Sequence, residues 1–282
     1  MSKPLVSVLI TSYNRSAFIA EAIESVLNQT FTNFELIIVD DASTDITYDI
    51  AASYAANDKR IRLYRNEINL GQFLNRNKAA SLAQGIYIKF VDSDDIIYSF
   101  CLHQMILGME QFQEAGFGVC SNLTNDVKPY PYLVEKSEAY KQYFTQGSDI
   151  LGMGPLGVIF RTNLFHSIGG FNDCSILGDT SILFEAIQRS PVVKIGASQF
   201  WWRIHENQVF TDPLLVVEHI IQRHRIHITY LNEKYTNYIG LPIGRFRLLQ
   251  YRIYFLHFFS FLLRCDIRSA ARLWKYRNPM CK

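Results

Sequence analysis

Leu5 to Ile10 is a β-branched apolar run, Thr11-Ser12-Tyr13-Asn14-Arg15-Ser16 reads as a turn, and apolar residues then recur at Phe18, Ile19, Ala22, Ile23, Val26 and Leu27. This change of period predicts a strand, a loop and an amphipathic helix. Phe34 to Val39 is a near-continuous apolar segment of the kind buried on both faces of a parallel sheet, and Asp40 to Asp45 supply turn and N-cap chemistry before a helix over about 46–56. Ile61 to Tyr64 predicts a strand, Gly71 to Ala83 a helix and Ile86 to Val91 a further strand. Alternation of this kind across short loops predicts a doubly wound α/β domain with a mostly parallel sheet. Ligands of such sheets bind outside the carboxyl ends of the strands. Thr11 to Asn14, Asp40-Asp41 and Asp92 to Asp95 are therefore expected along one edge.

Beyond residue 96 the pattern loosens into a helix over about 97–115, a strand near Phe117 to Cys120 and an irregular stretch over 126–150. A Gly-rich segment, a strand from Val158 to Phe160 and a helix entered at Thr162-Asn163 come next. Asp179 opens another helical pattern, with Ile182, Leu183, Ala186 and Ile187 on one face. Residues 214–277 read as a helical appendage broken at Gly240 to Gly244, so the expected division is an α/β domain over 1–212 and a basic, aromatic helical region over 213–282.

With 282 residues, 49% of them hydrophobic, the chain can bury a full core and does not have a disordered composition. Its five cysteines are odd in number, scattered and without a C-x-x-C pair, which argues against a disulfide framework and against a thiolate zinc site. Together with an N-terminus that runs straight into a strand, with no signal-peptide core, they predict a cytoplasmic location. Charge is unevenly placed: residues 1–210 carry 16 Lys/Arg against 22 Asp/Glu, whereas residues 211–282 carry 12 against 4. The acidic front suits a cation, and the basic, aromatic tail suits an anionic surface. No apolar run reaches the ~20 residues of a membrane-spanning helix.

Asp92-Ser93-Asp94-Asp95 places three carboxylates at the end of a strand, where they repel one another unless a cation sits among them. Mg²⁺ or Mn²⁺ is the natural guest, being commonly held by one or two carboxylates and the phosphates of a substrate. Asp40-Asp41 offers a carboxylate for the imide N–H of a pyrimidine, and Tyr13 a ring on which a base can lie. The plainer alternative in both places is an acidic turn that caps the next helix. A dinucleotide site is disfavoured, because the first strand leads into TSYNRS rather than G-x-G-x-x-G.

The segments TSYNR, SVLNQTF, FELIIVDDASTD and NLGQFLNRNKAASLAQGIYIKFVDSDD, in this order, resemble the N-terminal half of the family 2 inverting glycosyltransferases of the GT-A fold, over about residues 4–100. The resemblance implies that Thr11 lies against the nucleotide base, that Tyr13 stacks on it, that Asp41 hydrogen-bonds it and that Arg76 lies close by. It further implies that Asp92, Asp94 and Asp95 form the D-x-D motif, which touches the ribose and a divalent metal bridging the diphosphate, with the metal on Asp94 or Asp95. Downstream, Gly178-Asp179 ahead of a helix resembles the family's catalytic base at Asp179. Trp201-Trp202-Arg203-Ile204-His205 resembles its aromatic-Arg-x-His segment, which puts His205 within reach of metal or diphosphate.

The implied reaction is transfer of a sugar, with inversion, from a nucleotide-diphosphate sugar to an acceptor hydroxyl; a UDP-sugar is the favoured donor. By the same analogy the acceptor is a saccharide or a lipid-linked saccharide in surface polysaccharide or glycolipid assembly. A sugar nucleotidyltransferase, or a non-catalytic carbohydrate- or membrane-binding relative, is the alternative. Arg245 to Lys282 holds nine Lys/Arg, one acid and many aromatics, which predicts contact with an anionic membrane on its inner face; nucleic acid is not an expected partner.

Overall fold

The computed structural model describes residues 3–120, 128–172, 177–197, 199–205, 213–231, 243–264 and 266–277. Val6–Ser12 (β1), Ile19–Leu27 (α1), Phe34–Asp40 (β2), Thr47–Asn57 (α2), Ile61–Arg65 (β3), Gln72–Ser81 (α3) and Tyr87–Asp92 (β4) follow one another as the periodicity predicts. After them come Ile96–Ile97 (β5), Cys101–Gln111 (α4), Phe117–Cys120 (β6), Tyr132–Val134 (β7) and Lys136–Gln146 (α5). Val158–Arg161 (β8), Thr162–Ser167 (α6), Gly178–Arg189 (α7), Val192–Ile195 (β9) and Phe200–Trp201 (β10) complete the α/β part, and Pro213–Tyr230 (α8), Ile243–Leu263 (α9) and Ile267–Lys275 (α10) are the C-terminal helices.

The main sheet runs in the order β3-β2-β1-β4-β8-β6-β9-β7, and a two-stranded ribbon joins β10 to β5. β3, β2, β1 and β4 are parallel, while β8 enters antiparallel to both β4 and β6. Successive strand residues point to opposite faces. Leu9, Ile37, Val39, Ile88 and Phe90 accordingly meet Phe73, Phe165 and Leu183 on one side of the sheet. Val8, Ile10, Leu36, Ile38, Tyr87 and Val91 meet Ile23, Ala51 and Leu102 on the other. Burial of each large side chain in these layers contributes ~1.5–3 kcal/mol, so a one-residue slip of register would be ruinous. The chain runs from β1 outward to β2 and β3, then returns to place β4 on the other flank of β1. The strand ends of β1 and β4 thus flank the crevice where the winding reverses, the usual ligand site of such sheets.

Three sequence expectations are corrected. Residues 96–97 do not begin a helix, because Ile96 and Ile97 pair antiparallel with Trp201 and Phe200, and α4 starts only at Cys101. The described part of 126–150 is not irregular: β7 pairs with β9, and α5 buries Ala139, Tyr140 and Phe144. Its other residues are polar enough to blur the periodicity. The strands β9 and β10 were not expected, although β9 is a β-branched run between Pro191 and Gly196; β10, at two residues, has no sequence signal. The acceptor-loop residues 122–127 and most of the break at Gly240 to Gly244 lie outside the described residues.

α8, α9 and α10 share a small core of Val217, Ile221, Tyr254 and Leu273. They also pack onto the α/β part, since Tyr230 stacks on Phe184 with ring centres 4.7 Å apart and donates its hydroxyl to Glu185 at 2.6 Å. Among the described residues no helix is long and apolar enough to cross a membrane.

Candidate active site

β1 ends in register with Asp92 of β4 on one flank and with Asp40 of β2 on the other, at Thr11 and Ser12 respectively. The loops that leave these three strands enclose a cavity of about 400 Å³, whose walls include Thr11, Tyr13, Asp41, Arg76, Asp92, Asp94 and Asp95. Those are all of the donor-binding candidates and both candidate carboxylates for the metal. Asp179 and His205 do not line it; each is joined to it through a neighbour.

The two aspartates after β2 have different surroundings. Asp40 is fully buried and accepts hydrogen bonds from the Ser43 backbone N–H at 3.0 Å and the Ser12 hydroxyl at 3.4 Å, so it ties turns together. Asp41 faces the cavity. Its Oδ1 accepts from Asn66 Nδ2 at 2.6 Å and from the Leu70 N–H at 2.9 Å, and its Oδ2 accepts from the Gly71 N–H at 2.9 Å. Three donors fix this carboxylate and leave room on Oδ2 for one more. Ala42 beside it adopts φ +59°, a left-handed conformation that costs an alanine roughly 1–2 kcal/mol and is held by the surrounding turn network. Asn14, at φ +50°, sits more easily there, and its side-chain oxygen accepts from the Thr44 N–H at 2.8 Å, which locks the turn after β1 to the turn after β2.

Arg76, on α3, is buried with its guanidinium between two carboxylates: Nη2 meets Asp92 Oδ1 at 2.5 Å and Nη1 meets Asp179 Oδ1 at 2.9 Å. Asp179 lies in the first turn of α7. Burial, helped by the charge of Asp92 and opposed by Arg76, raises its carboxyl to about 6. Asp95 is buried at the foot of the cavity, where burial, reinforced by the charges of Asp92 and Asp94, raises its carboxyl to about 7.

The β5–β10 ribbon carries residues 202–205 over this acidic turn. Arg203 donates its backbone N–H to Asp95 Oδ1 at 2.9 Å and its Nε to the Asp94 carbonyl oxygen at 2.9 Å. Its guanidinium lies over the rings of Phe18 and Trp201 and pairs with Glu21. Asp94 Oδ2 contacts Arg15 Nε at 3.0 Å and His205 Nε2 at 3.1 Å, and the His205 ring stacks on Phe18 at 4.9 Å. Among the described residues no three His, Cys, Asp or Glu side chains come together as a ready metal cage. What Asp94 and Asp95 offer is a pair of hard carboxylate donors, one of them destabilised by its burial and by the charges of Asp92 and Asp94. That donor set fits a cation which takes its remaining ligands from water and a diphosphate.

Sequence reasoning gives no role to Arg15, Asn66 or Gly71, and it singles out Trp202 and Arg203 only as part of the aromatic-Arg-x-His segment, with no contact assigned to either. Asn66, Asn69 and Gly71 form a turn-like cluster after β3 that could have been read as a binding loop; the sequence marks the segment around Arg203, but not that its backbone N–H meets Asp95.

An acid-rich crevice at the switch point of a doubly wound sheet, with a fixed carboxylate and an exposed tyrosine on its walls, stands where such sheets hold their ligands. The glycosyl transferase family 2 model matches residues 7–169, and the chain belongs to that family. TuaG of Bacillus subtilis, a glycosyltransferase provisionally named for teichuronic acid biosynthesis, is 50% identical over 93 residues, which are 33% of this chain and 37% of that protein. An uncharacterized glycosyltransferase of Methanocaldococcus jannaschii is 36% identical over 154 residues, 51% of this chain and 52% of its own. The chain thus spans about a third to a half of the length of these relatives. Among solved structures, S. aureus TarS 1-349 in complex with UDP-GlcNAc superposes with a TM-score of 0.72 at 20% identity, over 96% of this chain and 79% of that one. The mannosyltransferase PcManGT from Pyrobaculum calidifontis, in complex with GDP-Man and Mn²⁺, superposes with a TM-score of 0.61 at 15% identity, over 98% and 74%. At these identities the superpositions establish the fold, a GT-A type α/β sheet.

Proposed function

We propose that the chain is an inverting glycosyltransferase that moves a sugar from a nucleotide-diphosphate sugar to an acceptor hydroxyl. The observation that carries this reading is the cavity itself, which gathers Tyr13, Asp41 and three carboxylates of the β4 turn at the switch point of the sheet. In this assignment Asp41 accepts an N–H of the base through the free side of Oδ2, Tyr13 stacks on the base and Thr11 packs beside it. A UDP-sugar is the favoured donor, as uracil offers one imide N–H to one carboxylate. Asp92, held by Arg76, orients the ribose, and Asp94 and Asp95 would hold Mn²⁺ or Mg²⁺. The cation, when bound, neutralises the diphosphate and eases its departure.

Asp179 is assigned the acceptor proton. Its raised carboxyl is a stronger base than an ordinary aspartate, while Arg76 keeps it ionised near neutral pH. The acceptor oxygen bonds to the anomeric carbon as the bond to the diphosphate breaks, and the proton passes to Asp179. A single base opposite the leaving group yields inversion. His205 braces Asp94 and stands near enough to approach a diphosphate. The acceptor is read as a saccharide or lipid-linked saccharide of surface polysaccharide assembly, met at the inner face of a membrane; the name of TuaG supports the setting.

Calorimetry with UDP tests the donor assignment. UDP is expected to bind with Mn²⁺ and to lose most of its affinity in EDTA, and equal affinity in both would remove the metal from the reading. Hydrolysis of UDP-sugars by the Mn²⁺-loaded protein then separates an enzyme from a non-catalytic relative.

A further inference from the structure

The geometry points to the outer face of α9 as a docking surface for an anionic lipid bilayer. The inner face of this helix is satisfied by protein. Phe246 packs against Phe144 at 6.4 Å, Gln250 Oε1 accepts from His227 Nδ1 at 2.6 Å, and Tyr254 stacks on His224 at 4.4 Å while donating its hydroxyl to the Leu273 carbonyl at 2.8 Å. These residues recur every four positions, so they mark one side.

The opposite side is apolar too. Leu248, Leu249, Leu256, Phe259 and Leu263 fall on it, at spacings that keep them on one stripe, and all are exposed: Leu248 by 70%, Leu256 by 62%, Phe259 by 54% and Leu263 by 86%. A helix that is apolar on both sides is ordinarily enclosed on both, and this one is enclosed on one. Single exposed leucines need no explanation, but a row of five large side chains is an interaction surface.

Charge selects the occupant. Arg245 and Arg252 stand within the same stripe, and Arg264 and Arg268 follow it; all four are exposed, and among the described residues none forms a salt bridge, Arg268 adding only a longer-range attraction to the Ser269 hydrogen bonds that lower the Asp266 carboxyl. Asp266 is the only acid among residues 243–277, and its carboxylate caps α10 through the Ser269 N–H. A second copy of the chain, meeting this face through a two-fold axis, would bring cations against cations. A bilayer with anionic headgroups accepts both components: the leucines and Phe259 enter the boundary between headgroups and acyl chains, and the arginines reach lipid phosphate. Exposed Ile267 and Trp274 on α10 extend the apolar part. Since α9 is not apolar enough to cross, it lies in the membrane plane. The inference deepens the membrane setting proposed above, but its physical basis is independent of the reaction.

Co-sedimentation of the full chain with vesicles tests it. Binding is expected to phosphatidylcholine vesicles containing phosphatidylglycerol, to weaken in high salt and to be slight on phosphatidylcholine alone. Arg245→Gln with Arg252→Gln should lower affinity for the anionic vesicles about 30-fold, on the basis of ~1 kcal/mol per charge. Leu256→Ser with Phe259→Ser should lower it as well, and retained UDP affinity shows that either variant is folded. If the full chain ignores anionic vesicles, or if both double variants bind like the parent, the docking surface is refuted. A dimer in sedimentation velocity that the Leu256→Ser, Phe259→Ser variant splits, with no vesicle binding, also refutes it and makes the face a self-interface. Vesicle binding without UDP binding leaves the docking in place and refutes the glycosyltransferase reading instead.

Discussion

Replacing Asp95 by asparagine should stabilise the free protein and at the same time cost it the cation. The carboxyl is 2% exposed, its side chain has one hydrogen bond among the described residues, from the Arg203 N–H, and it is raised from 3.8 to about 7 by burial and by Asp92 and Asp94. A native state that holds a proton which the unfolded chain has released loses stability as pH rises through that interval. The contribution is fully favourable below about 4, declines up to about 7 and is flat above. At ~1.36 kcal/mol for each unit of pKa, ionised Asp95 costs the fold about 4 kcal/mol at pH 8. Asparagine removes this cost but buries an amide whose donors lack partners, at ~1–3 kcal/mol. The balance is a gain of roughly 1–3 kcal/mol, or a rise in Tm of a few degrees at pH 8, and no gain at pH 4. With saturating UDP and Mn²⁺ the order should invert, because the parent is stabilised by RT ln(1 + [L]/Kd) and the variant binds more weakly. Scanning calorimetry at pH 4 and pH 8, with and without ligand, reads all four conditions. A variant that melts below the parent at pH 8 without ligand, or that keeps the full Mn²⁺-dependent increment, would refute the reasoning.

Asp179→Asn should lower transfer by ~10²–10⁴-fold while leaving UDP affinity within about twofold, since a base on the acceptor acts in the transition state; equal loss of UDP binding would move Asp179 into the donor site. The parent's rate should fall on the acid side with a midpoint near 6, as the raised carboxyl of Asp179 protonates, and this limb should be absent from the residual rate of the variant. Gly85→Ala should destabilise by roughly 2–3 kcal/mol or more, because a Cβ there would stand 2.6 Å from the Ser7 nitrogen and 2.8 Å from the Val6 carbonyl carbon, backbone atoms of β1 that have no rotamer to escape into. A melting curve like the parent's would show that β4 can shift at its entry.

The front of the fold was legible because its strands are buried on both faces. Val6 to Ile10, Phe34 to Val39 and Tyr87 to Val91 are apolar runs whose only consistent place is the interior of a parallel sheet. The second half is not legible in this way. β5 and β10 are two residues each, too short to show a period, and they exist only because they find one another. α5 has apolar residues on a narrow stripe in an otherwise polar segment, and the two prolines before it, Pro129 and Pro131, argue for a loop. Tertiary pairing overrides such local signals.

The site divides along the same line, and Asp40-Asp41 shows where. Asp40 is the last residue of β2 and keeps the alternation of Leu36 and Ile38, so its side chain is drawn to the side of the sheet that those residues bury. Asp41 is the first residue beyond the strand and opens onto the cavity. Periodicity could therefore have assigned the pair, one aspartate to the turn and one to the ligand. No such rule reaches Arg203. Its backbone N–H is a donor that any residue would carry, and it meets Asp95 only because two strands of two residues bring 108 positions of chain back on themselves. The carboxylates that make a cation site are local in sequence and were read directly. The donors that hold the turn in shape, from Arg15 and from residues 203 and 205, come from loops whose approach depends on the whole sheet. A motif of charged residues thus announces the chemistry, while the geometry that tunes it is a property of the fold.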